Sequence, residues 1–247
     1  MSFQSGIGID CIAGSIIDWM EPVVRAVFFD VDFTLIYPGP AFQGVGYRQS
    51  CERHGITVEE ARYDAAVREA LSSLDHEQVV YDDEIFIRYT RRIIEGMGGS
   101  GEALDACARE MYVQWAACHH FHLYDDAEAV LRELAARQLK IGLISNSHRS
   151  LDAFQEHFNL QGLVAAAVSS AEHGYLKPHP SIFEAALSQA GVDAGEALMV
   201  GDSLAHDVYG ARSVGMRGVL LHRGNGPLPE VDVPVIRNLT DLPALLS

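Results

Sequence analysis

Short apolar runs and amphipathic stretches alternate along the second half of the chain. Apolar runs cover residues 23–29, end at Ser145, lie near Val168, end at Gly201, and recur more weakly at 218–221 and 233–236. Stretches with the period of an amphipathic helix lie between them, at 127–138, 181–190 and 205–214. Strands that are apolar on both faces and alternate with helices are typical of a parallel sheet covered on both sides. The pattern predicts an α/β fold of the doubly wound, Rossmann-like kind.

The region from about residue 40 to residue 118 has a different pattern. Helical periodicity recurs near 41–54, 58–74, 82–95 and 103–117, with a glycine-rich break at 96–101. No strand pattern interrupts these candidates, so an all-helical module is predicted to be inserted after the first strand. We therefore expect a core made of residues 23–39 and 119–247, a helical cap over 40–118, and an N-terminal extension over 1–22.

Composition and charge narrow the possible partners. The chain has 247 residues, 48% of them apolar, and a formal net charge of −16. A chain of this size can bury a large core without disulfides or a structural metal. Strong acidity argues against nucleic acid or an anionic membrane as the main partner, because those surfaces would repel it. An anionic small molecule remains possible if a cation or local positive groups receive it.

Cysteine usage and the chain start bear on the compartment. The 4 cysteines include no C-x-x-C pair, which favours free thiols in a reducing compartment. No apolar run reaches the ~18 residues of a membrane span. Residues 1–20 lack a basic segment and do not resemble a signal peptide. We expect a cytoplasmic protein, and the sequence leaves its oligomeric state and the role of residues 1–22 open.

Polar side chains of a consistent type follow four of the predicted strands. In an open parallel sheet, ligands bind beyond the carboxyl ends of the strands. Singly, each residue has an ordinary explanation as a helix cap, a turn or a solvated loop. Together they bring carboxylates, an ammonium and hydroxyls to one edge of the sheet. These residues are Asp30, Asp32, Thr34, Ser145, Asn146, Lys177, Asp202 and Asp207.

The clustering of four carboxylates predicts a bound cation. Carboxylates repel one another unless a positive charge lies among them. A divalent metal resolves that repulsion, and ligands that are all oxygen favour Mg²⁺ over Zn²⁺.

The order and spacing of these residues closely resemble the haloacid dehalogenase (HAD) superfamily. Its four motifs match Asp30-Val31-Asp32-Phe33-Thr34, Ser145, Lys177 with Pro178, and Gly201-Asp202-Ser203 followed by Asp207. The resemblance covers residues 24–221 and is most specific over 200–216. The predicted helical insert resembles the C1 cap of subfamily I. Within that subfamily the chain is most similar to hydrolases of the rhythmically expressed gene 2 type.

The resemblance implies a role for each motif residue. Asp30 would attack phosphorus to give an aspartyl-phosphate, and Asp32 would protonate the leaving alcohol and then take a proton from water. Lys177 would bind the phosphoryl group and Asp30. The remaining implied assignments are phosphate binding by Thr34, Ser145 and Asn146, and Mg²⁺ binding by Asp30, Asp32 (through its backbone carbonyl), Asp202 and Asp207. Asp207 would be a direct or water-mediated ligand or else a partner of Lys177.

The function implied is Mg²⁺-dependent hydrolysis of a small phosphorylated metabolite. A phosphomutase uses the same two aspartates and remains open, as does a non-catalytic binding or regulatory protein on the same scaffold. A 2-haloacid dehalogenase is disfavoured because departing halide needs no proton and would leave Asp32 without a task. The cap side chains select the substrate, so the sequence does not identify it.

Phe33 departs from the family pattern, which usually has glycine at this position. A bulky residue is uncommon at positive φ. We therefore expect Phe33 to have negative φ with its ring toward the cap; the alternative is a loop that differs from that of the family, with weak activity. We also expect hinges near 36–40 and 119–124, and we interpret His119, His120 and His122 as hinge or surface residues.

Overall fold

The structure of the protein is a computed structural model that describes residues 23–72 and 79–246. Six strands form a parallel sheet in the order β5-β4-β1-β6-β7-β8, which confirms the predicted α/β fold. Strands β2 and β3 form a separate antiparallel pair. The strands are β1 (Ala26–Phe29), β2 (Ile36–Pro38), β3 (Phe121–Leu123), β4 (Lys140–Ser145), β5 (Val164–Ser169), β6 (Ala197–Gly201), β7 (Arg217–Leu221) and β8 (Val235–Ile236).

Helices cover the sheet and fill the segment between β2 and β3. In the described part of that segment four α-helices lie close to the predicted positions: α1 (Gly44–Arg53), α2 (Tyr63–Ser72), α3 (Asp83–Gly96) and α4 (Leu104–Trp115). The others are α5 (Ala127–Ala136), α6 (Leu151–His157), α7 (Ser170–His173), α8 (Pro180–Ala190) and α9 (Gly210–Ser213). No helix in the described residues is long and apolar enough to cross a membrane.

Strand β1 lies at the centre of the parallel sheet, and its two faces enter different hydrophobic clusters. Val27 and Phe29 pack with the helices of the insert and with α5, whereas Ala26 and Phe28 pack with α8. This alternation follows from the two-residue period of a strand. Because β4 and β6 flank β1 on opposite sides, the chain order reverses there. A ligand site is expected at the carboxyl end of β1, since open α/β sheets bind ligands at this switch point.

The single helix predicted over 205–214 is wrong in its first half. Leu204–Tyr209 forms a π-helical segment, and the α-helix begins only at Gly210. The Ser203 hydroxyl accepts a hydrogen bond from His206 N (3.2 Å), and the Asp207 carboxylate accepts one from Ser203 N (3.0 Å). These side-chain contacts fix a turn that helical periodicity alone does not encode.

The antiparallel pair of β2 and β3 was not predicted from the sequence. Ile36 pairs with Leu123 and Pro38 with Phe121, and Gly39 N donates to His120 O (2.7 Å). Each strand has three residues, too few for a recognisable period. These strands lie inside the two segments expected to act as hinges, and hinge motion stays a prediction. The division into a core (23–39 and 119–247) and a cap (40–118) also stays our proposal, and the extension over 1–22 lies outside the described residues.

Candidate active site

Three carboxylates meet at the carboxyl end of the central strand. Asp30 directly follows β1, Asp202 follows β6, and Asp207 lies in the π-helical segment after it. One carboxylate oxygen from each of the three lies within 4.8 Å of the others. Asp30 and Asp207 are buried, whereas Asp202 keeps contact with solvent. The fold therefore assembles at one place three residues that the sequence separates by up to 177 positions, from 30 to 207.

Lys177 lies between two of these carboxylates. Its Nζ donates to Asp30 Oδ1 (2.6 Å), Asp207 Oδ1 (2.6 Å) and Ile144 O (2.8 Å), and its side chain is almost fully buried. Asn146 positions the Lys177 backbone, because its side-chain amide donates to Lys177 O (3.0 Å) and accepts from Lys177 N (2.7 Å). The amide predicted to bind phosphate is thus engaged in holding the lysine.

The charges in this cluster shift one another's titration. Burial raises the pKa of Asp30 to about 6, against the attraction of Lys177. Desolvation by surrounding protein atoms and the charge of Asp30 raise the pKa of Asp202 to about 8, although part of that side chain contacts solvent. Burial opposes the Lys177 ammonium, but Asp207 and Asp30 outweigh it and raise the pKa of Lys177 above its usual value. The carboxylates therefore carry more negative charge than one lysine neutralises.

The donor set fits a divalent cation. Every candidate ligand atom in the cluster is a carboxylate oxygen, the donor type that Mg²⁺ prefers. Asp207 uses Oδ1 for Lys177 and Oδ2 for Ser203 N, so its position in the structure is that of a partner of Lys177. Asp30 and Asp202 are the residues best placed to hold the cation.

Gly201 is required by the close approach of Asp207. A Cβ at this position would lie 2.2 Å from Asp207 Oδ2, well inside van der Waals contact. Any side chain would displace the carboxylate that holds Lys177, which explains why the last residue of β6 is glycine.

Asp32 binds an arginine that the sequence analysis did not identify. Arg149 Nη1 contacts both carboxylate oxygens of Asp32 at 2.9 Å, and Nη2 donates to Trp115 O (2.9 Å) at the end of α4. The guanidinium also lies 4.2 Å from the centre of the Phe121 ring. Burial raises the pKa of Asp32, and the Arg149 charge limits that rise. Arg149 therefore links the second aspartate of the first motif to the helical insert.

No local signal in the sequence marks Arg149. It follows Ser145-Asn146-Ser147-His148 in an ordinary strand-to-helix turn, and its partner Asp32 lies 117 residues away. A pairing signal between distant positions would be needed to predict the contact.

The expected negative φ at Phe33 is wrong. Phe33 has φ +66°, and the turn is fixed by the Phe33 N–Ile36 O (2.7 Å) and Leu35 N–Val31 O (2.9 Å) hydrogen bonds. These bonds hold the loop in the left-handed region that glycine normally occupies, and the phenylalanine accepts the strain. The expected direction of the ring is confirmed, since it lies 6.4 Å from the Trp115 ring of α4.

Two hydroxyls near the site are buried with no protein partner in the described residues. These are Ser145 Oγ, at the end of β4, and Thr34 Oγ1, in the turn after β1. Buried hydroxyls usually have a hydrogen-bond partner. An anionic ligand oxygen would satisfy Ser145 if it bound at the end of β4.

The three histidines at 119, 120 and 122 do not form a metal-binding group with other described residues. His120 lies 3.1 Å from Gln114 Oε1, and His122 packs against the Tyr37 ring at 5.5 Å. Their positions next to β3 match their interpretation as residues of the segment that leaves the helical insert.

Paired acidic residues after a central parallel strand, with a lysine between two carboxylates, are the arrangement that the resemblance to the haloacid dehalogenase superfamily implies. Comparison with family models agrees, because residues 24–215 match the haloacid dehalogenase-like hydrolase model. The chain therefore belongs to the haloacid dehalogenase-like hydrolase family, which confirms the resemblance found in the sequence.

Individual relatives support the same family over nearly the whole chain. The chain is 28% identical to haloacid dehalogenase-like hydrolase domain-containing protein 3 of Danio rerio, covering 92% of this chain and 98% of that protein. It is 30% identical to human N-acylneuraminate-9-phosphatase, covering 91% and 94%. Its fold is similar to that of a HAD-hydrolase from Bacillus subtilis solved with bound magnesium (TM-score 0.72, 18% identity, 91% of this chain and 99% of that chain).

Proposed function

We propose that this protein is a Mg²⁺-dependent phosphatase that hydrolyses a small phosphorylated metabolite through an aspartyl-phosphate. The observation that carries this proposal is the Lys177 ammonium between Asp30 and Asp207, with Asp202 beside them, at the carboxyl end of β1. A buried carboxylate held by a lysine is a preformed place for a phosphoryl group, because the ammonium offsets the charge of both. The human relative is itself named a phosphatase.

Asp30 acts as the nucleophile in the first step. Its carboxylate oxygen attacks phosphorus, and the bond between phosphorus and the alcohol oxygen breaks. Asp32 enters this step in its protonated form, which burial favours and the Arg149 charge opposes, and donates its proton to the departing alcohol, so no alkoxide is released. In the second step water attacks the aspartyl-phosphate, Asp32 takes the proton from that water, and Asp30 is restored.

Other residues hold the phosphoryl group and the nucleophile in place. Lys177 neutralises charge on the phosphoryl oxygens, and Ser145 Oγ donates a hydrogen bond to one of them. Asn146 keeps Lys177 in position through its backbone. Thr34 Oγ1 is assigned to phosphate binding from its motif position only.

A Mg²⁺ ion held by Asp30 and Asp202, with the Asp32 carbonyl, would reduce the repulsion between the carboxylates and the phosphate. Asp207 contributes to this site by accepting a hydrogen bond from Lys177 and so holding its ammonium in place. The presence of Asp32, an acid that can protonate a departing alcohol, favours a phosphatase over a dehalogenase. Asp32 is held in position by Arg149. The cytoplasmic location expected from the sequence stays a prediction.

The test measures phosphate release from p-nitrophenyl phosphate with Mg²⁺ and after chelation with EDTA. Wild-type protein is expected to release phosphate only with Mg²⁺, and Asp30→Asn is expected to lose turnover by at least about 10³-fold, since the nucleophile is removed. Asp152→Asn, an exposed change at the start of α6, is the matched control and keeps the wild-type rate. Equal rates for Asp30→Asn and wild type would refute the nucleophile assignment, and turnover in EDTA would refute the metal dependence.

A further inference from the structure

A cavity of about 340 Å³ lies between the helical insert and the catalytic edge of the sheet. Asp32, Asn146 and Lys177 form its wall on the sheet side. The leaving group of a phosphate ester bound at Asp30 would extend into this cavity. The side chains that line it therefore decide which alcohol the site accepts.

The wall opposite the sheet is built largely from aromatic and aliphatic side chains. Trp115 packs edge-on against Phe42 with ring centres 4.7 Å apart, and Phe86 stacks near Tyr112 at 6.3 Å. Ile85 and Leu71 add aliphatic surface. Such a wall favours an apolar or aromatic ligand face, because its burial removes apolar area from water.

Positive charge is scarce around the cavity as a whole. Among the described residues that line the cavity, Lys177 is the only lysine or arginine, and its ammonium already contacts Asp30 and Asp207. The residues outside the description, 1–22, 73–78 and 247, contain no lysine or arginine in the sequence and cannot supply one. A carboxylate or second phosphate on the leaving group would therefore lose water without gaining a cationic partner, which is costly.

Two arginines of α3 and α4 are engaged with acidic side chains elsewhere. Arg109 pairs with Glu84, and Arg91 pairs with Glu95 and Asp105, all on exposed surface. None of these side chains belongs to the cavity wall. They do not change its charge.

Two histidines, His148 and His206, also line the cavity. The His148 ring stacks on Tyr112 at 3.9 Å, and burial lowers the pKa of His148, which favours its neutral form at neutral pH. His206 lies on the wall next to Ser203, with 3.1 Å between His206 Nδ1 and Ser203 Oγ. Work at pH 8 further favours the neutral form of His148.

Several polar groups of the wall are already paired within the protein. The Tyr112 and Tyr81 hydroxyls lie 2.5 Å apart, and Thr90 Oγ1 donates to Phe86 O (3.0 Å). A ligand rich in hydroxyls needs free partners for each of them when it is buried. The Tyr112 and Thr90 hydroxyls are therefore less available to the hydroxyls of a leaving group.

We propose that the phosphate esters this protein hydrolyses have an uncharged and largely apolar alcohol part, with an aromatic or branched aliphatic face. The inference rests on the proposed phosphatase function and adds the class of substrate. It separates this chain from a phosphatase for esters whose alcohol part carries a carboxylate. Two observations support the proposal: among the described residues, the cavity lining has no arginine and no lysine other than Lys177, and most of its side chains are apolar or aromatic.

The experiment compares phenyl phosphate with 4-carboxyphenyl phosphate at pH 8 and saturating Mg²⁺. The two esters share a leaving-group skeleton and differ by one carboxylate. We expect kcat/KM for phenyl phosphate to be at least about tenfold higher, the selectivity expected when one ester leaves an unpaired buried charge. Equal kcat/KM values for the two esters would overturn the inference and leave the phosphatase function standing.

A variant that adds a positive charge to the cavity wall tests whether the wall causes the difference between the two esters. Leu71 is 47% exposed on the cavity wall, so Leu71→Arg places a cation there without burying it in the core. This variant is expected to narrow the ratio between the two esters to within about threefold. Val113→Arg, at a site on α4 that is 62% exposed and not part of the wall, adds the same charge and should leave the ratio unchanged. An equal change in both variants would contradict the role of the wall.

Binding of phosphonates tests the same preference without turnover. Calorimetry should show that phenylphosphonate binds at least about tenfold more tightly than 4-carboxyphenylphosphonate in the presence of Mg²⁺. Failure of both esters to turn over, with this binding preference intact, would refute the phosphatase function and uphold the cavity preference. Equal binding of the two phosphonates would refute the cavity preference itself.

Discussion

Replacing Arg149 by methionine removes the guanidinium that contacts both carboxylate oxygens of Asp32 at 2.9 Å. The change keeps an unbranched side chain that can still pack against the Phe121 ring. It leaves the Asp32 carboxylate, only 16% exposed, without its ion-pair partner, and it leaves Trp115 O without its donor. The perturbation therefore isolates charge balance from packing.

The expected loss follows from the burial of the pair. Removing one partner of a buried ion pair costs about 3–5 kcal/mol, and the solvent contact of Asp32 places this case near the lower end. Loss of the hydrogen bond to Trp115 O adds about 1 kcal/mol. We expect Arg149→Met to lower the free energy of unfolding by about 3–4 kcal/mol.

The assay is a double-mutant cycle with Asp32→Asn, measured by urea unfolding in EDTA so that metal binding does not contribute. Asp32→Asn in the Arg149→Met background removes the unpaired carboxylate. The double variant should therefore be more stable than the sum of the single changes predicts, by at least about 1.5 kcal/mol.

A second arginine, half-buried, provides the control. Arg223 contacts Asp126 at 2.9 and 3.1 Å and lies 3.7 Å from the centre of the Tyr124 ring, so its surroundings closely match those of Arg149. Arg223→Met should also destabilise the protein, but its coupling to Asp32→Asn should be smaller than that of Arg149→Met, because Arg223 reaches the turn after β1 only through Thr34 O (2.9 Å). Additivity within about 0.5 kcal/mol for Arg149→Met and Asp32→Asn would refute the reasoning.

Three further predictions concern the strand ends. Gly201→Ala places a methyl group 2.2 Å from Asp207 Oδ2, so it should lower the free energy of unfolding by about 1–3 kcal/mol and nearly abolish turnover. Gly226→Ala is the control, because the space around its Cβ is open, and it should change neither stability nor activity. Phe33 has φ +66°, so Phe33→Gly should be about 1 kcal/mol more stable than Phe33→Ala in urea titrations, and the reverse order would contradict strain in this turn. Asp30 and Asp202 must both be deprotonated to bind a cation, and burial raises their pKa values to about 6 and about 8, so Mg²⁺ affinity measured by calorimetry should rise as the pH increases through 6 and on through 8; an affinity independent of pH over this range would argue against both residues as ligands.

The parallel sheet was predictable because its strands are buried on both faces. β4 (Lys140–Ser145) and β6 (Ala197–Gly201) coincide with uninterrupted apolar runs, and the polar residues that follow them lie at the predicted edge. Strand ends in such a sheet converge whatever the intervening sequence, so four short motifs were sufficient to locate Asp30, Lys177 and Asp202.

The features that were missed depend on contacts between distant residues. Arg149 finds Asp32 across 117 positions, and β2 pairs with β3 across the whole helical insert. The φ value of Phe33 is set by hydrogen bonds of its turn, which override the usual preference of an aromatic residue. Neither kind of information is present in local periodicity.

The short ladder between β2 and β3 brings together the two ends of the helical insert, where the chain leaves the proposed core and returns to it. Ile36 and Leu123 are paired neighbours, although 86 residues separate them in sequence, from 37 to 122. A segment whose ends already meet can be lengthened, shortened or exchanged without re-threading the strands that carry the aspartates. The architecture thus separates the evolution of substrate choice from the preservation of chemistry.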